Sequence, residues 1–266
     1  KGIGSQTWEV KIETDLRPST RSVLEGHRTA MGEENIVANK YIKGLENGTS
    51  EECWGLVLIT NFPCDPSMQD AYESLANDIK NEPMFKDAYV YPFSTLHTTL
   101  LTCYSFTRPP LGSQELKEEY LNGWNQLIEH AMSHPEWPRG KIKLRCKEAV
   151  AYPDAVVLMY DDVDKAIENI RRILKEEAEN KLPQMGYKNI DVSLAHFPTI
   201  MHSTILRWRD TPDCKFSQVK ECFDSIMRKN WPSEGLAVSA EKMHLVVEKV
   251  PYMHPPQNLH STWNLI

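Results

Sequence analysis

The sequence predicts an α+β or α/β domain built as two similar lobes, and three observations carry that expectation. Apolar runs of strand length alternate along the chain with stretches of helical periodicity. The order strand, helix, His-x-Thr strand occurs once in each half, although the halves share no sequence identity. Of the 266 residues, 41% are hydrophobic, enough to fill one large core or two modest ones.

Residues 1–50 are polar and weakly patterned, an expected extension with one short helix around Glu34 to Lys43 that covers the core; the domain proper is residues 51–266. Its first strand is Trp54 to Thr60, an unbroken apolar run closed by the turn Asn61-Phe62-Pro63. A helix follows, with Asp65 as cap, Pro66 in its first turn, and Tyr72, Leu75, Ala76 and Ile79 at helical spacing. Tyr89 to Tyr91 and Leu96 to Phe106 read as extended. A second helix, about Gln114 to Met132, has Ser113 as cap and turns Leu116, Tyr120, Leu127 and Ile128 inward. In the second half come strands Lys141 to Val150 and Ala155 to Tyr160, then a helix from Val163 to Glu179 capped by Asp162. That helix buries Ala166, Ile167, Ile170, Ile173 and Leu174 and leaves Arg171, Arg172 and Lys175 to solvent. Strand Met201 to Trp208, a helix of about Ser217 to Lys229 and a strand of about Met243 to Val250 close the chain.

Within this grammar one phrase is written twice: LHTTLL at 96–101 and MHSTIL at 201–206. On a strand, side chains alternate faces, so His97 shares a face with Thr99 and His202 with Thr204, while Leu100 and Ile205 point into the core. Each lobe then offers an imidazole and a hydroxyl on a rigid support. Displacement at a phosphodiester needs a base for the attacking oxygen and an acid for the leaving one, and two histidines near neutrality supply both without a metal. The threonine hydroxyls would donate to the non-bridging oxygens, where charge accumulates. Nine histidines among 32 serines and threonines give about one His-x-[Ser/Thr] by chance, and the chain has four. His27-Arg28-Thr29 lies in the polar extension, and His260-Ser261-Thr262 lies behind Pro255-Pro256 without a strand signal. Only the pair at His97 and His202 stands in matching strand contexts.

With both motifs flanked by hydrophobic residues, the chain resembles the 2H phosphoesterase superfamily, including the LigT-like 2',5' RNA ligases and cyclic nucleotide phosphodiesterases. The resemblance spans about Cys53 to Val250 and implies a bilobal α+β fold, each lobe with an antiparallel sheet and helices, and a cleft between them. It implies His97 and His202 as the catalytic pair, Thr99 and Thr204 as phosphate ligands, and a 2',3'-cyclic phosphate or related phosphodiester as substrate. Many members carry an arginine five residues after the second histidine, where Arg207 stands; simple alternation turns it away from the cleft, and only a bulge would bring it to phosphate. Trp208 falls by the same alternation on the face of His202 and Thr204, placed either to stack on a base or to cover the cleft floor.

Other features read as structural. His130 and His134 have helical zinc spacing but lack the glutamate of an HExxH motif, and no CxxC pair exists among the six cysteines, so neither a metal nor another cofactor is expected. His196 is a loop residue, Asp161, Asp162 and Asp164 mark a helix start, and Tyr104 and Phe106 belong to the core. A net charge of -7 argues against an extended nucleic-acid surface and leaves room for a nucleotide or an oligonucleotide end. No run of about 18 apolar residues predicts a membrane span. The even cysteine count and the Asn47-Gly48-Thr49 sequon permit a secreted, disulfide-stapled protein, so the compartment stays open with the cytoplasm favoured. A different class of function, a 2H-like fold that binds a nucleotide or protein without turnover, is the alternative to an enzyme.

Overall fold

Nine strands and four helices, arranged as two antiparallel sheets, make up the regular structure among the described residues of this computed structural model, which are 35–42, 44, 52–252 and 258–265. They belong to the unit Glu34–Ile266. The chain is α+β, as the motifs implied.

The first sheet runs β3-β1-β8-β9, with β1 at Gly55–Thr60, β3 at Thr98–Tyr104, β8 at Lys242–Glu248 and β9 at Leu259–Asn264. Every residue of β1 is buried, which is why its sequence is an apolar run and not an alternation. The second sheet runs β2-β6-β5-β4-β7: β2 at Ala88–Val90, β4 at Ile142–Ala151, β5 at Ala155–Asp162, β6 at His202–Trp208 and β7 at Leu236–Ala240. The lobes are therefore not the two halves of the sequence. β2, from the first half, pairs with β6, and the closing strands return to the first sheet, β8 beside β1 and β9 beside β8.

Helix α1 (Gln69–Asn81) buries Tyr72, Leu75, Ala76 and Ile79, the expected stripe; Asp65 caps the single 3-10 turn ahead of it, accepting from Ser67 N at 3.0 Å. Helix α2 (Gln114–Ala131) starts at Ser113, whose Oγ accepts from Leu116 N at 3.2 Å, a cap contributing about 1 kcal/mol. Helix α3 (Ala166–Gln184) begins later than expected, because Lys165 takes a left-handed conformation; the Asp162 carboxylate still accepts from Ala166 N and Glu168 N at 2.9 and 3.0 Å. Helix α4 (Phe216–Asn230) packs against α1, and α2 against α3.

Two expectations fail here. Ile36 and Ile42 are buried core residues, so this part of the polar extension helps to build the core, and of the described residues 35–42 in the segment expected as a helix only Ile42 takes helical geometry. His260-Ser261-Thr262 lies in strand β9 despite its weak signal: pairing with β8, not propensity, makes it a strand. The sequon at Asn47, His27-Arg28-Thr29 and Pro255-Pro256 lie outside the described residues. All six cysteines are free thiols. Among the described residues no helix is long and apolar enough to cross a membrane.

Candidate active site

The motif strands stand in different sheets, and the same irregularity shapes both. In β6, Val156 pairs with Leu206 while Val157 pairs with Thr204, so Ile205 is an extra residue, a β-bulge. In β3, Leu58 pairs with Leu101 while Ile59 pairs with Thr99, so Leu100 is extra in the same way. Each bulge falls on the residue after the motif threonine. Side-chain alternation restarts beyond it, and the fifth residue after each histidine returns to the histidine's face. His97, Thr99 and Thr102 are half-buried on one face of their segment, and His202, Thr204 and Arg207 on one face of theirs.

Ile205 thus reverses two expectations based on simple alternation. Arg207 joins the face of His202. Trp208 turns into the core, fully buried and stacked on Phe85 with ring centroids 5.7 Å apart and planes 14° from parallel, so it is no platform for a base. The Arg207 guanidinium lies over the Tyr252 ring, 4.2 Å from its centroid, and its Nε is buried without a hydrogen-bond acceptor among the described residues. That leaves a cation with a donor to spare beside His202.

The His97 ring is oriented by its own backbone: Nδ1 lies 2.9 Å from the carbonyl oxygen of Thr95. A carbonyl only accepts, so Nδ1 carries the hydrogen and the neutral ring keeps its lone pair on Nε2. Burial lowers the His97 pKa to about 4, against a smaller opposing effect of the Thr95 carbonyl. His202 is also lowered to about 4, first by burial and then by the charges of Arg207, His97 and Arg171, with Asp154 opposing. The His97 ring is thus near enough for its charge to disfavour that of His202. Ser203, the residue between His202 and Thr204, ties the two motifs together by donating from Oγ to the His97 carbonyl oxygen at 2.6 Å; the Tyr160 hydroxyl lies 3.1 Å from the same Oγ.

Arg171 corrects a third expectation. It is buried, donating from Nε to Leu100 O at 3.0 Å and from Nη2 to Thr99 O at 2.7 Å and Ile200 O at 3.1 Å. The signal was present: Arg171 stands four residues after Ile167 and three before Leu174, on the buried stripe of α3.

The remaining candidates stay apart. His260 and Thr262 are exposed on edge strand β9, three strand spacings or about 14 Å from β3 across the sheet. His196 is exposed in side chain, while its backbone bridges Thr102 through bonds of 2.8 and 2.9 Å. His130 Nε2 sits 3.4 Å from Glu177. Asp161 and Asp164 pair with Lys147 and Lys143 at the surface. Tyr104 is core, whereas Phe106 is half-buried against Tyr41 and Tyr252. Among the described residues no three His, Cys, Asp or Glu side chains gather as a metal site.

No family model matches the chain, and no curated protein is significantly similar to it. Solved structures are similar to it. A conserved protein of unknown function from Agrobacterium tumefaciens aligns with a TM-score of 0.50 and 13% identity over 80% of this chain and 87% of that one. Escherichia coli LigT complexed with ATP is similar at a TM-score of 0.44 and 12% identity, over 81% and 99% of the two chains. A phosphoesterase structure is similar at 0.47 and 12%, over 80% and 98%. At 13% identity the first of these is a likeness of fold alone, and the reading of the site stands on its own geometry.

Proposed function

We propose that this chain is a metal-independent phosphodiesterase that opens a 2',3'-cyclic phosphate, or a related phosphodiester, of a nucleotide or an oligonucleotide end. One observation carries the reading: two half-buried histidines close enough for the charge of one to act on the other, each two residues before a half-buried threonine and five before a third residue on the same face, with a cation at one of those third positions.

The roles follow from what surrounds each ring. His202 stands among Arg207 and Arg171, which disfavour its imidazolium, so it serves as the base that takes a proton from water. The Thr95 carbonyl favours the charged form of His97, which serves as the acid. Water adds to phosphorus, the bond from phosphorus to the ribose oxygen breaks, and His97 protonates that oxygen. Thr99, Thr204 and Arg207 donate to the non-bridging oxygens as charge builds on them. The anionic substrate itself raises the affinity of His97 for the proton it must carry.

The test is hydrolysis of a panel of 2',3'-cyclic mononucleotides with EDTA present, comparing wild type with His97→Ala and His202→Ala. Each substitution is expected to lower kcat by about 10²–10⁴-fold. Undiminished turnover in either folded variant would sink the proposal, and nucleotide binding without turnover by wild type would favour a binding module instead.

A further inference from the structure

Arg171 raises a physical question that core packing does not answer. Burying a guanidinium costs several kcal/mol unless hydrogen bonds and charge recover it, and an apolar side chain at that point of the stripe would fill the space without the penalty. Its three bonds go to backbone carbonyls at chosen places. Leu100 is the bulged residue of β3, whose carbonyl an interrupted ladder leaves in need of a donor; Thr99 O belongs to the first motif; Ile200 O lies two residues before His202. One planar fork therefore holds the backbone beneath both half-sites, which otherwise belong to separate sheets.

We infer that Arg171 is a positioning residue for the two-histidine site, setting the separation of the half-sites through carbonyls of both and placing a fixed cation behind them. The inference rests on the phosphodiesterase reading for its kinetic consequence, but not for its geometry. The charged and titratable groups acting on His202 are Arg207 from its own strand, His97 from the facing segment, Arg171 from α3 and Asp154 from the turn between β4 and β5. Arg171 is the one that also binds backbone on both sides.

Two variants of the full chain separate position from charge. Arg171→Lys keeps the cation but replaces the planar fork; Arg171→Met keeps the length and loses both. Each is measured by calorimetric Tm, by kcat and KM on 2',3'-cyclic AMP, and by NMR titration of the histidine rings. Arg171→Lys is expected to remain folded with the His202 midpoint near that of wild type, and to lower kcat about 10- to 100-fold with KM nearly unchanged, as a misplacement of reacting groups does. In Arg171→Met the His202 midpoint rises towards 6.5, its ordinary value. A purely structural role would lower Tm without moving the midpoint or kcat. The inference is overturned if kcat of Arg171→Lys stays within about twofold of wild type, or if a folded Arg171→Met leaves the midpoint in place. If Arg171→Met does not fold, kcat of Arg171→Lys decides alone. A wild type that hydrolyses no phosphodiester sinks the parent reading, and the midpoint in Arg171→Met still decides whether Arg171 governs that ring.

Discussion

At the scale of single residues, His97 and His202 are matched in ionisation and unequal in surroundings. Both are lowered to about 4, so at neutral pH the free site is doubly neutral, whereas the reaction needs one ring charged. The sign of the consequence is fixed. Because kcat/KM reports the free enzyme, it is expected to peak on the acid side and to fall as pH rises from about 5 to about 8. The bound substrate's negative charge stabilises the proton on His97, so the alkaline limb of kcat should lie at higher pH than that of kcat/KM. Steady-state kinetics across that range, corrected for substrate ionisation, checks the pair of limbs; a kcat/KM that stays level would contradict the assignment.

At the scale of elements, paired bulges re-aim the two motif strands and one tight turn fixes the entry to β7. Leu100 has no partner in β1 and Ile205 none in β5, and each re-aims the strand beyond it. Gly235 does comparable work where the chain enters β7. Its φ is +76°, and an added Cβ would stand 2.6 Å from Cys146 O and 3.0 Å from Lys147 Cα, both backbone atoms of β4. Gly235→Ala is expected to destabilise by about 2 kcal/mol or more, through left-handed strain together with the clash. Gly112, with nothing within 4 Å of an added Cβ, is the control, and Gly112→Ala should stay within about 0.5 kcal/mol of wild type. Urea unfolding of the two variants measures the difference.

For the molecule as a whole, buried ionisable groups of opposite habit set the pH range of stability. The histidines are lowered from 6.5 to about 4 on folding; their contribution is complete above about 6.5 and is lost as pH falls towards 4, where the unfolded chain binds the protons first. Glu248, buried in the first sheet, is raised by burial from 4.5 to about 8; its contribution is complete below 4.5 and is lost as pH rises towards 8. Stability should therefore decline on both sides of a middle range. Glu248→Gln is expected to raise Tm above wild type at the alkaline end and to change it little at the acid end, which calorimetry at the two extremes would read; equal Tm at the alkaline end would rule out an ionisation cost at Glu248.

The sequence by itself determined the paired tetrapeptides, the buried run of β1, the inward stripe of α1 and the caps at Asp65, Ser113 and Asp162, because each is a local pattern of spacing and side-chain chemistry. What only the tertiary structure decided depends on partners. Ile205 becomes a bulge through the register of β6 on β5, and that alone sends Arg207 to the face of His202 and Trp208 to the core. Residues Leu236–Ala240 and Leu259–Asn264 become strands because β4 and β8 offer them unpaired edges. The lobes interleave the two halves of the chain, which no internal repeat could reveal. Arg171, read as one of three solvent-facing charges, is held inside by three carbonyls that come together only when both sheets have formed. A strand's faces follow from its sequence only while its ladder is regular, and a buried charge is recognisable only once its acceptors are in place.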